Sequence, residues 1–205
     1  MSSHPLAEVI ESSTRHVVAE VAREQRAPTF GSWVEVPAQD GTVLYALVSH
    51  VETGSVEPGR RAMALGMDRA TLQREMPQLQ ELIRTTFRAL VLAYREPPRP
   101  GDTTLGRLHQ TLPPRPADLH DMVYPCDDAT VCALGEPYDF LRSLARHPDP
   151  AVPADDLIVA VLRHLHRAYG QGAEALPALR SAGRTLSRLL GDDHERLESI
   201  LRRIA

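Results

Sequence analysis

The stretch FGSWVEVPAQDGTVLYALVSHVE, Phe30 to Glu52, alternates apolar and polar residues on both sides of the turn Gln39-Asp40-Gly41. A period of two sends successive side chains to opposite faces of a strand, and an aspartate-glycine turn folds two such strands into a hairpin. The strands run from Gly31 to Val36 and from Thr42 to Val51, and Pro37 sits where a missing N–H costs no ladder bond. A pair of this kind is usually half of a small barrel, so the rest of the chain is read for the strands that would close it.

Before the hairpin, Leu6 to Ile10 and His16 to Ala22 are apolar-rich runs joined by ESSTR, whose serines and threonine favour a turn. After it, residues 52–66 are rich in glycine and proline and read as a loop. Helical spacing follows, with Leu72, Met76, Leu79, Leu82 and Ile83 on one stripe and Pro77 interrupting it. Thr86 to Tyr94 reads as a strand stopped by Pro97, Pro98 and Pro100. Residues 96–118 are loop-like, with extended polyproline geometry expected around Pro113, Pro114 and Pro116. Met122 to Pro125 and TVCAL, from Thr130, are two further short strand candidates.

From Glu136 the spacing turns helical. Tyr138, Leu141 and Leu144 form one stripe, and Leu157, Val161, Leu165 and Tyr169 form the next. Asp155 and Asp156 stand near the positive end of that second helix. A third helix has Pro177 in its first turn. The last is expected to be capped by Asp192, with Glu195 as its capping-box partner and Leu197, Ile200, Leu201 and Ile204 buried. The fold class is therefore α+β: a small β-barrel over residues 4–126 with a helical insertion at about 68–85, then a helical region over 136–205.

Composition narrows the chemistry. All 23 basic residues are arginine, and without lysine neither a P-loop nor a Schiff base can be built from this chain. The net charge of -4 gives no basic coat for nucleic acid. No run reaches the ~18 apolar residues of a membrane span, and MSSHPLAEVIESSTRH lacks the layout of a signal peptide, so the cytoplasm is the expected location. Two cysteines make no disulfide framework.

The N-terminal PLAEVIESSTRHVVAEVA, followed by PTFGSWVEVPAQDGTVLYALVSHVE, resembles the HAS barrel, the domain named for HerA and ATP synthase. The family order is strand, turn, strand, then a G-x-x-V strand and D-G-x-V-x-x-x-V leading into a valine-rich strand. Gly31, Val34, Gly41, Val43 and Val48 take those places, and PPRPADLHDMVYPC looks, more loosely, like the segment that returns the final strand. In HerA the barrel precedes a DNA-translocating ATPase that works with a nuclease on DNA ends; in ATP synthase it joins neighbouring subunits. Here no GxxxxGK[ST] follows. The resemblance therefore implies a docking or assembly module whose partner is a HerA-like ATPase, a nuclease or a second copy.

Candidate sites are few. His120, Cys126 and Cys132 are the metal candidates, with Asp121, Asp127 and Asp128 able to add oxygen ligands. Their spacing lacks the tight Cys-x2-4-Cys of structural zinc, so no metal and no cofactor is expected. His164 and His166 lie on helix faces about 200° apart and cannot share an ion; one of them should face solvent. Arg60 and Arg61 in a turn, and Arg180, Arg184 and Arg188 along one helix face, are the partner-binding candidates, suited to carboxylates or phosphates. No GxSxG elbow and no matched acid, base and nucleophile is present, so the expectation is a non-enzymatic protein. The alternative is an OB-like nucleic-acid barrel, which would need exposed aromatics beside arginines; Trp33, Tyr45 and Phe87 look committed to the core instead.

Overall fold

A computed structural model of the chain describes residues 4–56, 63–76, 78, 82–99, 105–170 and 172–204. The element order is β1 (Ala7–Ser12), β2 (His16–Val21), β3 (Trp33–Pro37), β4 (Val43–Ser55), α1 (Arg69–Glu75), β5 (Ile83–Arg95), β6 (Leu108–His109) and β7 (Met122–Pro125). Helices α2 (Asp128–Gly135), α3 (Phe140–Ala145), α4 (Ala154–Tyr169), α5 (Ala175–Leu190) and α6 (His194–Ile204) complete it. Six antiparallel strands close on themselves in the order β1-β7-β3-β4-β5-β2, with β2 returning to β1. The two-residue β6 hangs on the end of β5. The fold is thus α+β, a closed six-stranded barrel with its helices mostly C-terminal.

The opening hairpin forms β3 and β4, paired from Trp33↔Leu47 to Pro37↔Val43. Gly41 turns between them at φ +84°, a conformation that favours glycine. Alternation sends Val34, Val36, Leu44, Ala46 and Val48 into the barrel, where they meet Val9, Phe87, Ala89 and Val123. Valines and alanines suit so narrow an interior, which side chains fill.

The outward-facing residues of the same strands are buried as well. Trp33, Tyr45, Leu47, Leu90 and Leu92 belong to a second core, built with Leu134, Phe140, Leu144, Leu157, Leu162 and Leu165 from the helices. Strands β3 to β5 therefore have both faces covered, which is why VLYALV and ALVLAY read as continuous apolar runs. The helices form a layer on that side of the barrel, and α4 is its centre.

Several elements differ from the sequence reading. TVCAL is not a strand: it lies in α2, whose N-cap Asp127 accepts from the Thr130 N–H at 2.8 Å. A side-chain cap satisfies an orphan helix donor and outweighs the β preference of a single threonine-valine pair. The final helix is capped by Asp193 rather than Asp192, through Arg196 N–H to Asp193 Oδ1 at 3.2 Å. Of its expected face, Ile200 is buried, Leu197 and Ile204 are partly so, and Leu201 is exposed. Ile83 opens β5 instead of ending a helix, because its backbone pairs with Ser55. Strand β6 lies in what read as loop. Helix α1 is capped by Asp68; Pro77 and Leu79 lie outside the described residues.

One side chain ties the barrel's exit to the helical layer. Gln110 donates to the carbonyls of Leu134 at 3.0 Å and Glu136 at 2.9 Å, and accepts from the Phe140 N–H at 3.2 Å. Replacement by alanine strands these groups in a half-buried turn, a loss of about 1–3 kcal/mol. Urea unfolding of Gln110→Ala should show a lower midpoint with an unchanged slope.

Candidate functional site

The three metal candidates have different surroundings. His120, at φ +72°, pairs through Nδ1 with Glu8 across the β1–β7 seam. Cys126 directly follows β7, where burial, then Glu35 and Asp127, push its thiol well above its ordinary range. Cys132 lies on α2, with its thiol raised by burial and by Asp128. Among the described residues no group of three or more histidine, cysteine or acidic side chains is placed to hold a metal ion. Cys126 stays a protonated thiol at neutral pH, which makes it a poor nucleophile.

His166 faces solvent and His164 is half-buried. Burial and Arg167 lower the His164 pKa, while the Gly31 backbone acts in the opposite direction. Arg60 and Arg61 lie outside the described residues. Arg180, Arg184 and Arg188 are exposed along α5, and Arg188 donates to Thr185 Oγ1 at 3.3 Å. Trp33, Tyr45 and Phe87 are buried, as their alternation implies.

A polar cluster that sequence reasoning missed sits on the outside of the barrel. Register places Glu35 between Tyr45 on β4 and Tyr124 on β7. Arg95 at the end of β5 donates to Tyr45 Oη at 3.1 Å and to the Gly106 carbonyl at 3.0 Å, with its guanidinium 5.8 Å from the Tyr45 ring centroid. Burial and, less strongly, Asp127 raise the Glu35 pKa from its ordinary value, with Arg95 opposing. These residues are dispersed in sequence, so only strand register assembles them.

The raised Glu35 pKa fixes the sign of a stability effect. A carboxyl whose folded pKa exceeds its unfolded value stabilises the fold below the unfolded pKa, near 4.5, and loses that contribution as pH rises through the folded pKa. Glu35→Gln should therefore be more stable than the parent at pH 7. The gain should shrink toward zero below about pH 4, where Glu35 is protonated in both states. Urea midpoints across pH 3.5 to 7.5 measure it.

No family model matches the chain, and no match is found among curated proteins. Among the described residues no helix is long and apolar enough to cross a membrane.

Proposed function

We propose that this chain is a non-enzymatic docking or assembly module built on a HAS-type barrel, acting in the cytoplasm as an accessory to a HerA-like ATPase or nuclease in processing DNA ends. The observation that carries the reading is the two-sidedness of the barrel. Its interior is filled and its β3–β5 side is covered by helices, while Ile10 and Met122 on the β1–β7 side are each 40% exposed and Leu119 beside them is 58% exposed. A solid barrel offers surface rather than a ligand cavity, and contact through the side of the barrel is what the resemblance implies. The reading is supported by the residues that carry the resemblance: Gly31 and Gly41 stand at positive φ, Val34 and Val48 face the interior, and Val43 packs on the outer core.

Two measurements test it. Size-exclusion chromatography with light scattering reads self-association, and co-purification with a HerA-like ATPase or nuclease from the same cells reads the partner. An assembly larger than one chain, or a stable complex, is expected. Ile10→Glu with Met122→Glu should dissolve it without unfolding the barrel, because both side chains already meet solvent. A strict monomer at high concentration that retains neither partner would overturn the proposal. A shift with single-stranded DNA that weakens with added salt would favour the OB-like reading instead.

A further inference from the structure

The helical layer carries a surface of its own, on α4, α5 and α6 rather than on the barrel. A cleft of about 320 Å³ opens between these helices, lined by Leu162, His166, Leu179, Gly183, Leu201 and Ile204. The cleft is open at Gly183, where an added Cβ would meet nothing within 4 Å. Leu201, one of its lining residues, is 43% exposed, and Leu176, one turn before Leu179 on the same helix, is 56% exposed.

The charge around the cleft is one-sided. Helix α5 carries Arg180, Arg184 and Arg188 and no acidic residue from Ala175 to Leu190. The acids of the α4 first turn are already engaged, Asp155 with Arg196 at 2.7 Å and Asp156 with Arg203 at 2.6 Å. Apart from those pairs, helix α6 carries Glu195, Glu198 and Arg202, and helix α4 carries Arg163 and Arg167, so the positive excess comes from α5 and α4. Arg180 and Arg184 each follow a lining position, Leu179 and Gly183, about 100° further round the helix, which puts them on the solvent side of the rim. Among the described residues neither has an ion-pair or hydrogen-bond partner.

We infer that this cleft is a docking groove for an amphipathic helix of a protein partner, with apolar side chains entering between Leu179, Leu201 and Ile204 and acidic side chains meeting Arg180 and Arg184. An apolar stripe at i, i+3, i+4 and i+7 laid into a groove between helices is an established recognition mode, and complementary charge at its rim sets orientation and partner choice. The groove lies on the helical layer, away from the bare side of the barrel. It stands or falls independently of the contact proposed above.

The probes are two stapled helical peptides with the same leucine stripe, one flanked by glutamates and the other by arginines, titrated against the full chain by fluorescence anisotropy. The acidic peptide is expected to bind at least tenfold more tightly than the basic one and to weaken as salt rises. Gly183→Leu, which fills the groove with a better helix former, should reduce binding at least tenfold with no fall in thermal midpoint. Arg180→Ser with Arg184→Ser should weaken the acidic peptide several-fold and leave the basic one no weaker. Acidic binding no tighter than basic, no binding at all, or undiminished binding to Gly183→Leu overturns the inference. A dimer of the free chain that Gly183→Leu converts to monomer overturns it too, since the occupant is then a second copy.

Discussion

Replacing Gly31 by alanine should lower the unfolding free energy by about 3 kcal/mol, from two costs that act at one atom. Gly31 has φ +77°, a region that strains any residue with a side chain, and its N–H holds the Val48 carbonyl at 2.8 Å, so the conformation cannot relax without breaking the entry to β3. A Cβ built there would lie 2.3 Å from Ala160 Cβ and 3.0 Å from the Ala160 carbonyl carbon on α4. Helix backbone cannot give way as a flexible side chain can. Left-handed strain costs about 1–2 kcal/mol, and overpacking against a fixed helix adds about 1–3. The two parts separate in a double-mutant cycle. Ala160→Gly should recover the part of the packing cost set by the Ala160 Cβ, less about 1 kcal/mol for glycine in a helix, while the tight approach to the helix backbone and the φ strain remain. Full additivity of the two substitutions in urea unfolding would show that barrel and helix do not meet at this point.

Gly31 also shows how far the sequence can be read. Its place before an alternating run marks a strand entry, and the turn at Asp40-Gly41 marks the hairpin. That much is local backbone chemistry. The close approach of α4 is not local, because no pattern in residues 30–52 tells that Ala160 will sit against Gly31. The same holds for Trp33 and Tyr45. Alternation assigns them to a buried face, yet only the packed chain shows that this face is the outside of the barrel, covered by helices. Helix α2 was legible in principle. Asp127 three residues before Thr130, with Gly135 at its end, is a cap-to-stop pattern that the apolar run TVCAL conceals.

For the candidate site the balance differs. Arg180, Arg184 and Arg188 were visible as a row, since they share one element and one period. The cleft beside them was not, because Leu162, Leu179 and Leu201 come from three helices whose approach depends on tertiary packing. Glu35, Tyr45, Arg95 and Cys126 likewise span more than ninety positions of chain, and only the register of β3, β4, β5 and β7 brings them together. Asp155 and Asp156 were placed by their stabilising effect at a helix start; their second role, holding Arg196 and Arg203 on α6, follows from the fold. With those acids held by α6, Arg180 and Arg184 of α5 have no ion-pair partner among the described residues.

Phe140→Ala should cost about 3–5 kcal/mol, the usual range for emptying a fully buried aromatic site. Phe140 is 1% exposed at the start of α3, with its ring edge-on to Trp33 at a centroid distance of 5.4 Å and tilted toward Tyr138 at 6.4 Å. It belongs to the core between barrel and helices and makes no part of the barrel interior. Tyr138 in turn donates from its hydroxyl to the Ala178 carbonyl at 3.0 Å, so disturbance at Phe140 reaches α5 through one buried side chain. Trp33 is the chain's single tryptophan, and it stands at this boundary with 2% exposure. Its fluorescence therefore reports the packing of the helical layer on β3. In Phe140→Ala the emission should shift to the red under native conditions, and the urea midpoint should fall. The strand signature in far-UV circular dichroism should persist, because Val34, Val48 and Phe87 still pack inside the closed barrel. Phe140→Leu, which restores most of the volume, should recover more than half of the loss. Unchanged emission with an unchanged midpoint would mean that the helices do not depend on this contact, and the shared core would have to be discarded as the link between the barrel and its helical layer.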